Sequence, residues 1–140
     1  MKPLTKYWKE PDLLKEDITA FTLDLDNDGK EEIVFAASNL HRLANFVAKN
    51  DEDPAHYFIY GGILEKNGVP TLFYSDRGDY LGGTDAIGVV TIKGVVPIAP
   101  GTGELALLIS AGSGLSGDQQ IIRYRGGRAQ RIDVIRFTCN

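Results

Sequence analysis

The 140-residue sequence predicts a mostly β chain of blade-like antiparallel hairpins with one short helix near residues 38–49. Three observations point there. Segments such as "DITAFTLDL" and "IGVVTIKGVVPI" alternate, or carry β-branched residues, with the period of a strand. Asn67-Gly68 and Gly126-Gly127, whose residues tolerate positive φ, each lie between two such segments and mark tight turns. A shift of 74 residues sets "DNDGKEEIVFAAS" on "PGTGELALLISAG", so that Gly29 falls on Gly103 and one apolar strand on another. That self-similarity divides a single domain, 1–140, into two degenerate repeats at about 17–75 and 88–137.

Taken in order, a polar lead-in precedes "DITAFTLDL", and "EEIVFAAS" comes after an acidic loop, so the loop joins two strands. Residues 38–49, "SNLHRLANFVAK", place Leu40, Leu43, Ala44 and Val47 on one helical face with Ser38 as N-cap, and "NDEDP" ends the segment. "HYFIYGGILEK" and "VPTLFYS" form a hairpin around Asn67-Gly68, and "DRGDYLGGTDA" reads as loop. "IGVVTIKGVVPI", "ELALLISA", "QQIIRYR" and "RAQRIDVIRF" complete the strands.

The chain is long enough to bury a core without disulfide or metal staples. Its net charge of −4, with the basic residues scattered, argues against a nucleic-acid partner. The single cysteine, Cys139, excludes an intrachain disulfide, and no segment approaches the length of a membrane span. The amino-terminal stretch "MKPLTKYWKEPDLLKED" also lacks the apolar core of a signal peptide.

The chemistry concentrates in "FTLDLDNDGKEEIVF", residues 21–35. Asp24, Asp26 and Asp28 alternate, so a tight loop can aim them at one centre, and Gly29 supplies a sharp turn. Calcium takes six to eight oxygens at about 2.3–2.6 Å, which suits such a donor set. An EF-hand fails on two grounds. Its twelfth position requires a bidentate glutamate, and counting from Asp24 that position is Phe35. Its loop also joins helices, whereas these flanks are strand-like. Glu32, at the ninth position, closes the site instead, with the Lys30 carbonyl at the seventh.

"DLDNDGKEEIV" resembles the calcium loop of FG-GAP and VCBS repeats, the blades of integrin-type β-propellers, whose loop has the form D-x-D-x-D-G-x-x-D/E between two strands of a blade. The resemblance implies side-chain ligands to Ca2+ at Asp24, Asp26, Asp28 and Glu32 and a backbone ligand at Lys30. One intact loop and two or three blade-like units fall short of the four or more blades of a closed monomeric propeller. Under the 74-residue shift the ligands fall on Ile98, Pro100, Thr102 and Ala106, so the second repeat keeps the turn and has no carboxylate at any of those four positions.

Other motifs weigh less. Gly112, Gly114 and Gly117 match a dinucleotide fingerprint in spacing, but the next segment, "QQIIRYRGG", is short and β-prone where such a fingerprint needs a helix. Arg77-Gly78-Asp79 spells an integrin-recognition tripeptide and equally an ordinary polar turn. His41 and His56 lack a second transition-metal ligand at a suitable spacing, and neither Ser116 nor Cys139 has the context of a nucleophile. Tyr57, Phe58, Tyr60, Phe73 and Tyr74 belong to the central hairpin as core or sheet surface, an exposed subset offering a sugar- or protein-binding face.

The expectation is a calcium-binding β module that acts as a ligand- or protein-binding scaffold without catalytic activity. Protein or carbohydrate ligands are the expected partners, and oligomerisation is one way to complete a ring. A site that fills at millimolar calcium implies a periplasmic, cell-surface or secreted location. The alternatives are a small hydrolase using Asp76, Asp79, Asp85 or Asp118, and an inhibitor or immunity-type protein projecting loop 38–56 or 76–87.

Overall fold

Two four-stranded antiparallel sheets make up the computed structural model, which describes residues 14–43, 55–65, 70–80, 89–99, 101–112 and 116–138. The first is a meander of β1 (Ile18–Leu23), β2 (Glu32–Ser38), β3 (Ala55–Glu65) and β4 (Thr71–Tyr80). The second repeats the order with β5 (Val89–Pro97), β6 (Leu105–Gly112), β7 (Ser116–Arg125) and β8 (Arg128–Thr138). No strand is shared between them, and the described residues form no closed barrel. The fold is thus mostly β with one short helix, as the sequence predicts.

Helix α1 (Leu40–Leu43) falls inside the predicted 38–49 segment, whose remainder from Ala44 on lies outside the described residues. Ser38 ends β2, and its Oγ accepts the Leu40 N–H at 3.2 Å. Asp17, in a single 3-10 turn before β1, holds this corner by accepting Arg42 Nε at 2.9 Å and Nη2 at 2.6 Å. Asn39 prolongs the β2–β3 ladder with its side chain, donating to the His56 carbonyl at 2.9 Å and accepting the Phe58 N–H at 3.0 Å.

One segment departs from expectation. "DRGDY", read as loop, is the second half of β4, with Arg77 opposite Phe58, Gly78 opposite Tyr57 and Asp79 opposite His56. The eleven-residue β3 presents more backbone donors and acceptors than "VPTLFYS" can pair, and β4 extends to meet them. Arg77-Gly78-Asp79 is therefore extended ladder, not a turn. The Asn67-Gly68 turn lies outside the described residues, while Gly126 and Gly127, with φ of 58° and 76°, make the predicted turn between β7 and β8. Gly112 pairs with Gly117 across two antiparallel strands, a topology unlike the βαβ unit of a dinucleotide fingerprint.

The core is in two parts, of which one lies between the sheets. β2 is buried on both faces, which is why "IVFAA" is apolar without interruption. Val34 points with Leu25 and Ile63 toward Leu107, Ile109, Ile122 and Tyr124 of the second sheet. Phe35 and Ala37 point the other way, to Phe58, Tyr60 and Leu64. A register shift at Gly61/Gly62 lets aromatic rings cross the bare backbone there. A Cβ on Gly62 would stand 2.7 Å from the Phe35 ring and 2.8 Å from the Thr71 carbonyl oxygen. Because that carbonyl belongs to the ladder and cannot swing away, Gly62→Ala is expected to destabilise by about 1–3 kcal/mol. Urea unfolding measures it; a variant as stable as wild type would show that the bulge does not need glycine.

Candidate metal centre

Between β1 and β2 the chain makes a loop whose alternate residues face opposite ways. Asp24, Asp26 and Asp28, together with Glu32 at the start of β2, bring one carboxylate oxygen each to within 4.8 Å of one another. The four side-chain ligands expected from the sequence therefore converge. Asn27 has a φ of 58° and Gly29 a φ of 88°, and this left-handed pair curls the loop so that successive aspartates point inward. The aspartates also order the backbone: Asp24 accepts the N–H groups of Asp28 and Gly29, at 3.1 and 3.0 Å, and Asp28 Oδ1 accepts the Lys30 N–H at 2.8 Å.

Glu32 differs from the others in burial. Only 2 % of its surface is exposed, and one oxygen, Oε2, accepts the Leu25 N–H at 2.8 Å. Desolvation, reinforced by the charges of Asp26, Asp28 and Asp24, pushes its carboxyl above the usual range despite that hydrogen bond. Carboxylates about 5 Å apart repel by on the order of 1 kcal/mol per pair even at the dielectric of water, and by more where one is buried. A hard divalent cation reverses that repulsion, so the oxygen-only donor set fits one.

On the other side of the loop, Leu25 is buried in the inter-sheet core and its carbonyl accepts the Leu105 N–H of β6 at 2.8 Å. Asn27 Nδ2 donates to the Thr102 carbonyl at 3.0 Å. Neither role is legible in the sequence, because an asparagine between aspartates carries no sign of a partner 75 residues away.

Two further groups join the surroundings. Glu65, opposite Glu32 in the β2–β3 register, accepts the Tyr124 hydroxyl of the second sheet at 2.5 Å. Burial, the Glu65 hydrogen bond and the nearby negative charges push the Tyr124 phenol well above its ordinary value. Thr22, Asp28, Lys30, Glu32, Ile33 and Glu65 help line an open groove of about 740 Å³ beside the loop.

The remaining candidates are dispersed. Asp76 accepts from Tyr57 at 3.3 Å, Asp79 pairs with exposed His56 at 2.9 Å, and Asp118 lies on β7 of the other sheet. Asp85 lies outside the described residues. Asp76 and Asp79, three apart on one strand, occupy opposite faces. His41 stands 3.4 Å from Asp17. Of the hairpin aromatics, Phe58 and Tyr60 are buried and stacked at 5.7 Å, and Phe73 packs on the inter-sheet core. Tyr57 and Tyr74 are half-buried. No helix among the described residues is long and apolar enough to cross a membrane. Compared with family models, curated proteins and solved structures, the chain matches none.

Because the folded protein binds the Glu32 proton more tightly than the unfolded chain does, the metal-free fold loses stability as pH rises from about 4.5 through the raised value. Glu32→Gln keeps an oxygen for the Leu25 N–H and removes the charge. In chelator at pH 7 this variant is expected to melt above wild type, with the gap narrowing as pH falls toward 4.5. A variant that melts below wild type in chelator at pH 7 would contradict this account of Glu32.

Proposed function

We propose that the chain is a calcium-binding β module in which one structural ion braces the β1–β2 hairpin, and that it serves as a ligand- or protein-binding scaffold. The observation that carries this reading is the convergence of Asp24, Asp26, Asp28 and Glu32 within 4.8 Å, with Glu32 buried beneath the loop. Those side chains, with the Lys30 carbonyl that the FG-GAP and VCBS resemblance implies, would hold the ion. The ion supplies charge compensation: it relieves the mutual repulsion of the aspartates and the desolvation of Glu32.

The proposed role is structural, because the four acids are all used in one shell and no further His, Asp or Glu joins the cluster among the described residues. Oxygen-only donors favour calcium or magnesium over softer metals, and a flexible loop with several carboxylates favours the larger calcium. Sites of this kind in extracellular modules bind at about 0.1–1 mM. Such an affinity implies a periplasmic, cell-surface or secreted protein whose partner is a protein or a carbohydrate.

At tenfold excess over the dissociation constant, calcium is expected to stabilise wild type by about 1.4 kcal/mol and Asp26→Ala by much less. Thermal unfolding in calcium and in chelator, on both proteins, tests this. An unchanged wild-type midpoint removes the calcium reading.

A further inference from the structure

We infer that the acidic loop is a latch between the two sheets, so that cation binding and inter-sheet docking are thermodynamically coupled through Leu25 and Asn27. The latch rests on the calcium reading and extends it from one hairpin to the whole fold.

Alternation along the loop divides its residues between two tasks. Residues 24, 26 and 28 turn their carboxylates to a common centre, and the two residues between them, 25 and 27, make the contacts to the second sheet. Leu25 is tied at every group. Its N–H donates to Glu32, itself one of the four converging acids, its carbonyl accepts from Leu105 of β6, and its side chain is 1 % exposed in the inter-sheet core. Any change in the spread of the carboxylates must pass along the same short backbone that holds these contacts.

Asn27 makes the second tie, and its receptor is shaped for it. Gly103 has a φ of 71°, and a Cβ there would stand 2.6 Å from Asn27 Nδ2. The second loop thus presents bare backbone where the first loop lands, and Thr102 offers its carbonyl to the amide at 3.0 Å. Under the 74-residue shift Gly103 is the counterpart of Gly29, so the turn glycine of the loop that lacks the four acids has become the docking surface for the acidic one. With four like charges in the loop and no cation, the loop opens and the latch loosens; with the charges compensated, the loop closes on the geometry that Leu105 and Thr102 read.

Linkage makes this testable without knowing any partner. If calcium tightens the latch, loosening the latch must weaken calcium by the same factor, although no ligand is touched. Calorimetry with calcium chloride measures affinity, and amide exchange at Leu105, which donates to Leu25, reports docking. Asn27→Gly keeps the left-handed backbone and all four acids and deletes the amide. Gly103→Ala places a methyl against Asn27 from the opposite loop. In wild type, Leu105 exchange is expected to slow about fivefold or more on adding calcium, and each variant is expected to bind calcium about fivefold or more weakly. Calcium that binds wild type but leaves Leu105 exchange unchanged, or that binds both variants with wild-type affinity, overturns the latch alone. Absence of calcium binding to wild type overturns the metal reading and the latch with it.

Discussion

The backbone at Leu25 is the point on which both halves of the molecule depend. Its N–H is satisfied by a buried carboxylate of β2, its carbonyl by the first amide of β6, and its side chain completes the core shared by Val34, Ile63, Leu107 and Ile109. A buried peptide group without a partner costs on the order of 1–3 kcal/mol. The segment thus holds its place only while Glu32 and Leu105 are both in register, and the sheet on either side inherits that condition. A residue flanked by aspartates is in consequence one of the least exposed in the protein.

The β1–β2 and β5–β6 turns share left-handed residues at Asn27 and Gly29 and at Gly101 and Gly103 but differ in their electrostatics. In the first, four acids converge on a centre that could hold a metal ion. In the second, Glu104 turns back onto its own sheet and takes Arg125 Nε at 2.8 Å and Arg123 Nη2 at 3.0 Å. Hydrogen bonds from Arg125 and then Arg123 outweigh desolvation and hold the Glu104 carboxyl below its usual range. Thr102 closes the turn locally, its hydroxyl donating to the Ala99 carbonyl and accepting the Glu104 N–H. The second loop thus carries its compensating charges within the chain.

Much of this was legible in the sequence, because strand periodicity, turn dipeptides and alternating aspartates are local signals. The eight strands overlap predicted segments, and the four acids meet as their spacing requires. The misread segment, 76–80, failed for a non-local reason. Its charged residues and glycine resemble a loop, and only the length of β3, set by burial elsewhere, draws it into a strand. The contacts of Asn27 with Thr102 and of Tyr124 with Glu65 were illegible in the same sense, since each joins distant parts of the chain through side chains that no short pattern marks.

The Tyr124–Glu65 pair shows why the acidic region bears on the second sheet from two directions. Glu65 stands opposite Glu32 on neighbouring strands, an arrangement in which like charges destabilise a sheet. A neutral phenol reaching across from β7 relieves part of that cost by donating a hydrogen bond to Glu65, and burial, that hydrogen bond and the nearby negative charges all favour the protonated tyrosine. The second sheet thus supplies a hydrogen-bond donor to the acidic region through Tyr124, and a backbone donor and acceptor to its loop through Leu105 and Thr102. Replacing the acids would reach beyond the loop's own charge, because Leu25 would lose the carboxylate that satisfies its N–H. The charge of one loop and the packing of two sheets form a single constraint, and the sequence of that loop answers to both.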